Sequence, residues 1–331
     1  MPRAIAVALC CSLAASAGLA AEQATDDPEA AAPAAAVKPG PLPFLAEEAA
    51  KAGVVLPRPI GLTLVGQLQG EDILSHELNV GLGGATKLNA DFVEFGNIRA
   101  RVQNLILRGD VWVLPFLDVY ALAGGTWSQT RTELIRPISL VIDTDAHGVT
   151  LGFGATIAWG IEPYGFLSLD GNLEWTDLDI LSQPQRTGTL TPRAGHRFVS
   201  QTVPERVLTL WVGSNLEFFF GRVLGSTVLG SAGAGGGPPL PPDFGDWLSR
   251  LSPAQQQAVG DLLSQLIKAT QGPNAANARA DFDLVVKTRR TANLLVGGEL
   301  QLDRRWQFRA EGGLLGARSS VNANVTYRFD L

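Results

Sequence analysis

Strict alternation between apolar and polar residues, sustained over long segments, is the feature that most constrains this sequence. In residues 320–331 the apolar side chains occupy the odd positions, and polar side chains that include Arg328 and Asp330 occupy the even positions. The same pattern runs through 148–160 and 165–178. A period of two indicates a β-strand with one apolar face. Because such segments follow one another along the chain, the sequence predicts an all-β, antiparallel fold.

The length of the segments and the polarity of their two faces favour a barrel in a membrane over a soluble sandwich. Strands of about 10 to 13 residues, tilted by about 45°, span about 25 Å, the height of the apolar band of an outer-membrane barrel. Sandwich strands are nearer to about five or six residues. Arg309 or Arg328 facing lipid at the midplane would cost about 2–4 kcal/mol each. Since the charges of each strand sort to one face, we expect the apolar face to contact lipid.

Aromatic residues are expected at two levels of the apolar face. The set beside the short turns comprises Trp159, Trp306, Tyr327 and Phe329. The set near the opposite strand ends comprises Trp127 and Trp175. Girdles of this kind at both interfaces are typical of membrane barrels. The alternative is that these rings cap the core of a soluble β-domain.

On these residues, the stretch 60–331 resembles the outer-membrane β-barrels of Gram-negative bacteria. Its end is similar to the assembly signal of that class, with Tyr327, Phe329 and Leu331 at alternate positions, although an aromatic residue is more usual than Leu at the last position. The resemblance implies two partners, outer-membrane lipid and the barrel-assembly machinery, which would read the C-terminal strand. It covers the class and no specific family, so it implies no activity.

The pattern predicts about ten strands, an even number as expected for a single-chain bacterial barrel. They are placed near 60–69, 98–113, 117–128, 148–160, 165–178, 188–197, 206–218, 290–302, 305–315 and 320–331. Segments near 75–83 and 281–289 give twelve strands as the alternative. Short turns then fall on one side of the membrane. The long segments near 70–97, 129–147 and 219–289 fall on the other.

The N-terminal residues predict export and a location in the outer membrane. Residues 1–21 are typical of a secretory signal peptide, with Arg3 before an apolar stretch that ends in small residues. Cys10 and Cys11 would be removed with it. Residues 22–59, rich in Ala, Glu and Pro, are predicted to be a flexible periplasmic lead-in.

Composition excludes two classes of protein. The net charge of −6 and the lack of a basic stripe argue against nucleic acid as a partner. After the predicted signal peptide, no run of about 18 uncharged apolar residues remains, so a helical membrane protein is excluded.

One amphipathic helix is predicted within the long loop at about 219–289. Ser252 and Pro253 form a helix start, and the helix is expected to end before Gly272. Apolar residues recur at helical spacing at Ala258, Val259, Leu262, Leu263, Leu266 and Ile267. The helix could cover the pore, lie on the membrane, bind a partner or pack against neighbouring loops.

Charged and polar residues on the second face of the strands are the candidates for the barrel lumen. They are Arg108, Asp110, Asp170, Asn172, Glu174, Glu299, Arg309, Glu311 and Arg328. The strand register also turns two indoles inward, those of Trp112 and Trp211. These residues either form a charged constriction that selects solutes or pair with one another across a filled interior. Ten to twelve strands predict a narrow or occluded bore.

The sequence offers little for catalysis or metal binding. The three histidines, His76, His147 and His196, are not at metal-ligand spacing, so neither a metal nor a cofactor is expected. A hydrolase would need His196 beside Asp170 or Asp177, and no Gly-x-Ser-x-Gly motif accompanies them.

Three functions therefore remain after the sequence analysis. The leading one is a narrow solute channel or ligand-binding transporter, with which a small-molecule ligand is compatible. The second is a non-conducting structural or surface-interaction barrel. The third is a membrane-embedded hydrolase.

Overall fold

The computed structural model describes residues 42–51, 56–161, 163–228, 240–270, 278–316 and 318–330. The predicted signal peptide lies outside the described residues, as does the predicted lead-in up to residue 41.

Within the described residues, ten antiparallel strands form a closed barrel. They are β1 (Ile60–Leu82), β3 (Glu94–Leu114), β4 (Leu117–Arg136), β5 (Leu140–Ile161), β6 (Gly165–Leu178), β7 (Gln185–Val199), β8 (Val207–Phe220), β11 (Ala292–Gln301), β12 (Trp306–Leu314) and β13 (Arg318–Phe329). Each pairs with the next in this order. β13 closes the ring against β1, from the pair Phe329–Ile60 to the pair Arg318–Glu71. The prediction of a ten-stranded antiparallel barrel is confirmed.

The twelve-strand alternative is wrong. The segment near 75–83 continues β1 instead of forming a strand of its own. The segment near 281–289 belongs to β10 (Arg279–Thr288), which pairs with β1 from Ile73 onwards, beyond the point where β13 ends. β9 (Val223–Val228) pairs with β10, and the short β2 (Leu88–Asn89) pairs with β1.

The two ends of the barrel differ in their connections. At the turn end, short connections join β3 to β4, β5 to β6 and β11 to β12, and β1 begins there beside the end of β13. At the loop end, the chain between β8 and β11 contains β9, β10 and the helices α2 (Phe244–Ser249) and α3 (Pro253–Thr270). A further helix, α1 (Ala46–Lys51), precedes β1. Close to it, the backbone N–H of Phe44 donates to the carbonyl oxygen of Val113, near the turn end.

The outer face of the barrel carries the apolar side chains that the alternation predicted. Leu64, Leu151 and Val212 are 50%, 57% and 56% exposed, as lipid-facing residues are when no lipid is present. The ring of Tyr327 contacts that of Trp306 at 4.9 Å between centroids, near the turn end. Trp127 and Trp175 lie towards the other end of their strands, so the two predicted levels of aromatic residues are present.

Four strands continue well past the apolar belt, which the sequence analysis did not predict. β1, β3, β4 and β5 contain 23, 21, 20 and 22 residues, so the segments taken as loops near 70–97 and 129–147 are mostly strand. Here the polarity of the two faces is reversed. Arg131 and Asp143 point outward and form an ion pair of 3.3 Å, whereas Leu140 and Ile142 line the interior.

We call this part of the barrel the extension and the remainder the membrane section. The extension comprises β1 from Ile73, β3 up to Ala100, β4 from Thr130, β5 up to Ala146, β9 and β10. Backbone hydrogen bonds close it, since the N–H of Ser182 donates to the carbonyl oxygen of Leu224 (2.8 Å) and the N–H of Ser226 donates to that of Ile180 (2.9 Å). The chain between β6 and β7 therefore meets β9 and completes a ring.

A bulge in β1 keeps apolar side chains pointing into the extension. Glu77 has a φ of 52°, and the pairing with β10 shifts between His76 and Asn79. An extra residue in one strand reverses which positions face inward. Ser75 lines the interior before the bulge, and Leu78 lines it afterwards.

The predicted helix is present as α3, and it packs with α2 against the apolar inner face of the extension. Val259 on α3 is 1% exposed and belongs to one buried cluster with Leu78 of β1, Ala280 of β10 and Ile138 beside β5. We call α2 and α3 together the lid. Among the helices in the described ranges, none has the length and apolar character needed to cross a membrane.

Candidate functional site

The barrel encloses a cavity of about 1540 Å³, lined from Leu262 on the lid to Arg304 at the turn end. All eleven residues proposed for the lumen lie on inward-facing positions of their strands. Those that line the cavity are Arg108, Trp112, Asp170, Asn172, Glu174, Trp211, Glu299, Arg309, Glu311 and Arg328. Asp110 lies buried behind them and pairs with Arg328 at 3.1 Å.

A first group of charges lies where β3 and β4 meet near the turn end. Nη2 of Arg108 contacts Oδ2 of Asp118 at 2.7 Å. The guanidinium of Arg108 also lies 3.6 Å from the ring centroid of Tyr120, a cation–π arrangement. Together with the Arg328–Asp110 pair, these contacts hold both arginines against the barrel wall.

A second group is centred on Glu311 of β12. Its Oε2 accepts hydrogen bonds from Nε of Arg193 (2.8 Å), from Nη2 of Arg309 (3.3 Å) and from the indole N–H of Trp211 (2.8 Å). The guanidinium of Arg309 lies 4.6 Å from the Trp211 ring. Trp211 is thus part of the ion-pair network and is only 5% exposed.

A third group lies higher in the membrane section. Arg318 of β13 contacts the carboxylate of Glu217 and the side-chain oxygen of Asn215. Its register partner on β1 is Glu71, another buried acid. Arg318 therefore pairs with Glu217 across the interior, while Glu71 lies beside it on the neighbouring strand.

Four interior carboxylates, those of Glu71, Asp170, Glu174 and Glu299, have no arginine within ion-pair distance among the described residues. Asp170 is held by neutral donors, the hydroxyls of Tyr120 (3.1 Å) and Thr156 (2.6 Å). Glu174 and Glu299 line the cavity without an ion pair inside the described ranges.

The upper part of the cavity is apolar, a property that the sequence analysis missed. Its wall is made by Ile73, Val80, Phe95, Ile98, Leu140, Ile142, Phe282 and Leu284 of the extension and by Leu262 and Leu266 of the lid. The sequence does contain a signal for this apolar wall. The period of two continues through 129–147, but there most charged residues lie on the outward face instead of the inward face. We call this part the apolar chamber.

Polar contacts hold the lid at its edges. The guanidinium of Arg136 donates to the two carboxylate oxygens of Asp243 (3.0 and 2.5 Å) and to Glu94 (3.1 Å). The indole N–H of Trp247 donates to Glu94 (3.0 Å), and the backbone N–H of Leu82 donates to Oε1 of Gln265 (3.0 Å). The hydrogen bonds from Arg136 hold the pKa of Asp243 below its ordinary value.

The arrangement that a hydrolase would need is not formed. His196 points outward, 4.7 Å from the Phe198 ring, whereas Asp170 points into the lumen. Asp177 is exposed on the outer face, but the register pairs His196 with Gly165, at the opposite end of β6. The proposed pairing of His196 with either aspartate is therefore wrong. Within the described ranges, no three His, Cys, Asp or Glu residues are grouped as a metal site requires.

Comparisons with known proteins identify no family. No protein-family model matches the sequence, and no curated protein matches it significantly. Among solved structures, the barrel is similar to the β-domain of the Bordetella autotransporter Brka (9% identity, 81% of this chain and 100% of that chain, TM-score 0.39). It is also similar to OprG from Pseudomonas aeruginosa (8% identity, 83% and 98%, TM-score 0.38) and to the Ralstonia pickettii toluene transporter TbuX (9% identity, 83% and 90%, TM-score 0.32).

Likeness of this degree carries no argument about activity. The class follows from the molecule itself: a closed barrel of ten strands, an apolar outer belt between two levels of aromatic residues, and charged side chains turned inward. These features are typical of a membrane-spanning β-barrel.

Proposed function

We propose that this barrel is a narrow transporter that binds a small molecule in its interior. The observation that carries the proposal is the cavity of about 1540 Å³ that extends from the lid to the turn end. Ligand pockets commonly measure about 300–1,000 Å³, so the space suffices for a small organic solute. An interior that side chains just fill belongs to barrels of about eight strands, and ten strands enclose more space.

The ion pairs support a passage because they lie along the wall. Arg108 and Arg309 are each held against an aromatic ring by cation–π geometry, at Tyr120 and Trp211. Held there, both guanidiniums lie against the barrel wall, and both line the cavity. The bore of a ten-stranded barrel is nevertheless narrow, which argues against general diffusion of large solutes.

The lid supports regulated passage. Because α3 packs against the inner face of the extension and its Leu262 and Leu266 line the cavity, we expect the lid to move when a solute enters from the loop end. The sequence of events that fits the structure is opening of the lid, entry into the apolar chamber and movement past the charged groups of the membrane section.

The proposal includes the cellular location. The signal peptide at 1–21 would direct export, and the barrel-assembly machinery would read β13 on the way into the outer membrane. In β13, the rings of Tyr327 and Phe329 meet edge to face at 4.8 Å between centroids on the outer face, as a lipid-facing signal would require. Leu331, the last residue of the proposed signal, lies outside the described residues.

Conductance in planar bilayers tests the proposal. Val228 of β9 and Arg279 of β10 are direct register partners, so a short turn can replace residues 229–278 and remove the lid while keeping the barrel. We expect small, intermittent currents from the full chain and larger, steady currents from the lidless variant.

A control variant keeps the lid and replaces only 229–239 with a Gly-Ser segment of equal length, and it should behave as the full chain does. If the lidless variant inserts into the bilayer and passes no current, the transporter proposal is wrong. The non-conducting structural or surface-interaction barrel would then take its place.

A further inference from the structure

We infer that the molecule accepted by this barrel combines an apolar body with a positively charged group such as an ammonium, and that Glu174 contacts the charge. This inference rests on the proposed function, because it names the substrate class of the same cavity. Three observations lead to it: the balance of charge in the interior, the surroundings of Glu174 and its height in the barrel.

Acidic groups outnumber basic groups inside the membrane section. The interior acids are Glu71, Asp110, Asp118, Asp170, Glu174, Glu217, Glu299 and Glu311, and the interior arginines are Arg108, Arg193, Arg197, Arg309, Arg318 and Arg328. Each of these arginines except Arg197, which lies near the turn end, already contacts a carboxylate. The charge left over inside the barrel is therefore negative.

The groups that flank Glu174 on the two neighbouring strands are neutral. Its register partners are Gly152 of β5 and Thr187 of β7. Beside it, the hydroxyls of Thr150 and Thr176 form a hydrogen bond of 2.9 Å with each other. No arginine or lysine in the described ranges lies within ion-pair distance of the Glu174 carboxylate.

The backbone makes room for this carboxylate. A Cβ atom on Gly152 would lie 3.0 Å from Cγ of Glu174, closer than side chains normally approach. The glycine therefore lets the Glu174 side chain lie against the wall of β5. A carboxylate that faces a cavity without a cation is costly to bury, and a ligand cation would offset that cost.

Glu174 lies where the polar part of the cavity meets the apolar chamber. The inward positions of β6 run from Asp170 through Glu174 and Thr176 to Leu178, and the wall continues with Ile180. A molecule whose apolar body occupies the chamber would present its other end to Glu174. A ligand carboxylate at this level would be repelled, and a neutral hydroxyl would gain only a hydrogen bond.

Binding of three matched probes to the full chain in detergent tests this inference. The probes are 4-phenylbutylammonium, 4-phenylbutanol and 4-phenylbutyrate, which share the apolar body and differ in charge. By isothermal titration calorimetry we expect the ammonium to bind at least about tenfold more tightly than the alcohol, and the carboxylate to bind most weakly.

Substitutions on β6 provide the matched comparison. Glu174→Gln removes the charge at nearly constant volume and should bring the affinity for the ammonium close to that for the alcohol. Glu174→Asp should keep the preference in part. Asp177→Asn, on the same strand but outside the barrel, should leave all three affinities unchanged.

A measurement that needs no ligand completes the test. In a KCl gradient the lidless variant should be cation-selective, and Glu174→Gln should reduce its reversal potential. The substrate class would be overturned by equal binding of the three probes, by no binding of any of them, or by an unchanged preference in Glu174→Gln. In each case, conduction by the lidless variant would keep the transporter proposal intact. Absence of both binding and conduction would overturn the two together.

Discussion

Four long strands run through both the membrane section and the extension, yet the two parts present opposite faces to their surroundings. In the membrane section Leu151 of β5 points outward and the interior carries charges. In the extension Asp143 of the same strand points outward and Ile142 points inward. The strand geometry is the same in both parts, so the difference comes from what lies outside the barrel.

Hydrocarbon outside the membrane section excludes charges, because an arginine at the midplane costs about 2–4 kcal/mol. Water outside the extension has the reverse effect, because removing apolar surface from water stabilises the folded protein by about 25 cal/mol per Å². The extension thus follows the rules of a soluble β-barrel and uses the lid as the missing part of its core. The comparison also explains the cavity, which is polar in one part and apolar in the other.

The largest expected effect separates the two outer faces of β5. Leu151→Arg should destabilise the barrel in lipid vesicles by about 2–4 kcal/mol, because the charge enters hydrocarbon. Val141→Arg, an outward position on the same strand in the extension, should change the free energy of unfolding by less than about 0.5 kcal/mol. Urea titrations of both variants measure the difference. Equal destabilisation would show that the boundary between the two parts is misplaced.

A smaller effect is expected at the edge of the lid. Trp247→Phe keeps the ring that packs in the apolar cluster but removes the indole donor to Glu94. Loss of one such hydrogen bond costs about 1 kcal/mol, so the open population of the lid should rise about fivefold. Hydrogen–deuterium exchange of α2 and α3 measures this change. Trp175→Phe on the outer belt is the control, and an identical effect of both substitutions would show that the donor has no role in closure.

The smallest effect concerns pH. The hydrogen bonds from Arg136 lower the pKa of Asp243 in the folded protein. The contribution of this contact to closure is therefore complete above the ordinary aspartate pKa of about 3.9 and is lost as the pH falls through the lower folded-state value. The conductance of the full chain should stay constant down to about pH 4.5 and rise below that. In Asp243→Asn the rise should be absent, and a rise centred above about pH 5 would contradict this role of the contact.

Much of the candidate site could be predicted from the sequence because the strand period assigns each residue to a face. The alternation alone predicts that Glu311 and Trp211 face the lumen, and both residues line the cavity in the structure. It could not show that the indole N–H donates to that carboxylate, because the two residues lie 100 positions apart and meet only when β8, β11 and β12 are side by side. For His196 the strand period suffices, because it places His196 on the outward face of β7 and so separates it from the inward Asp170.

The sequence by itself determined the ten strands, their apolar belt and the inward direction of the charges, because these follow from local periodicity and from the cost of placing a charge in hydrocarbon. Only the tertiary structure decided how far the strands continue, which charges pair and where α3 rests. Those features depend on residues distant in sequence: β10 must reach β1, the chain after β6 must reach β9, and a one-residue bulge at Glu77 must keep Leu78 and Val80 facing inward. Such contacts form through closure of the ring, which no local pattern encodes.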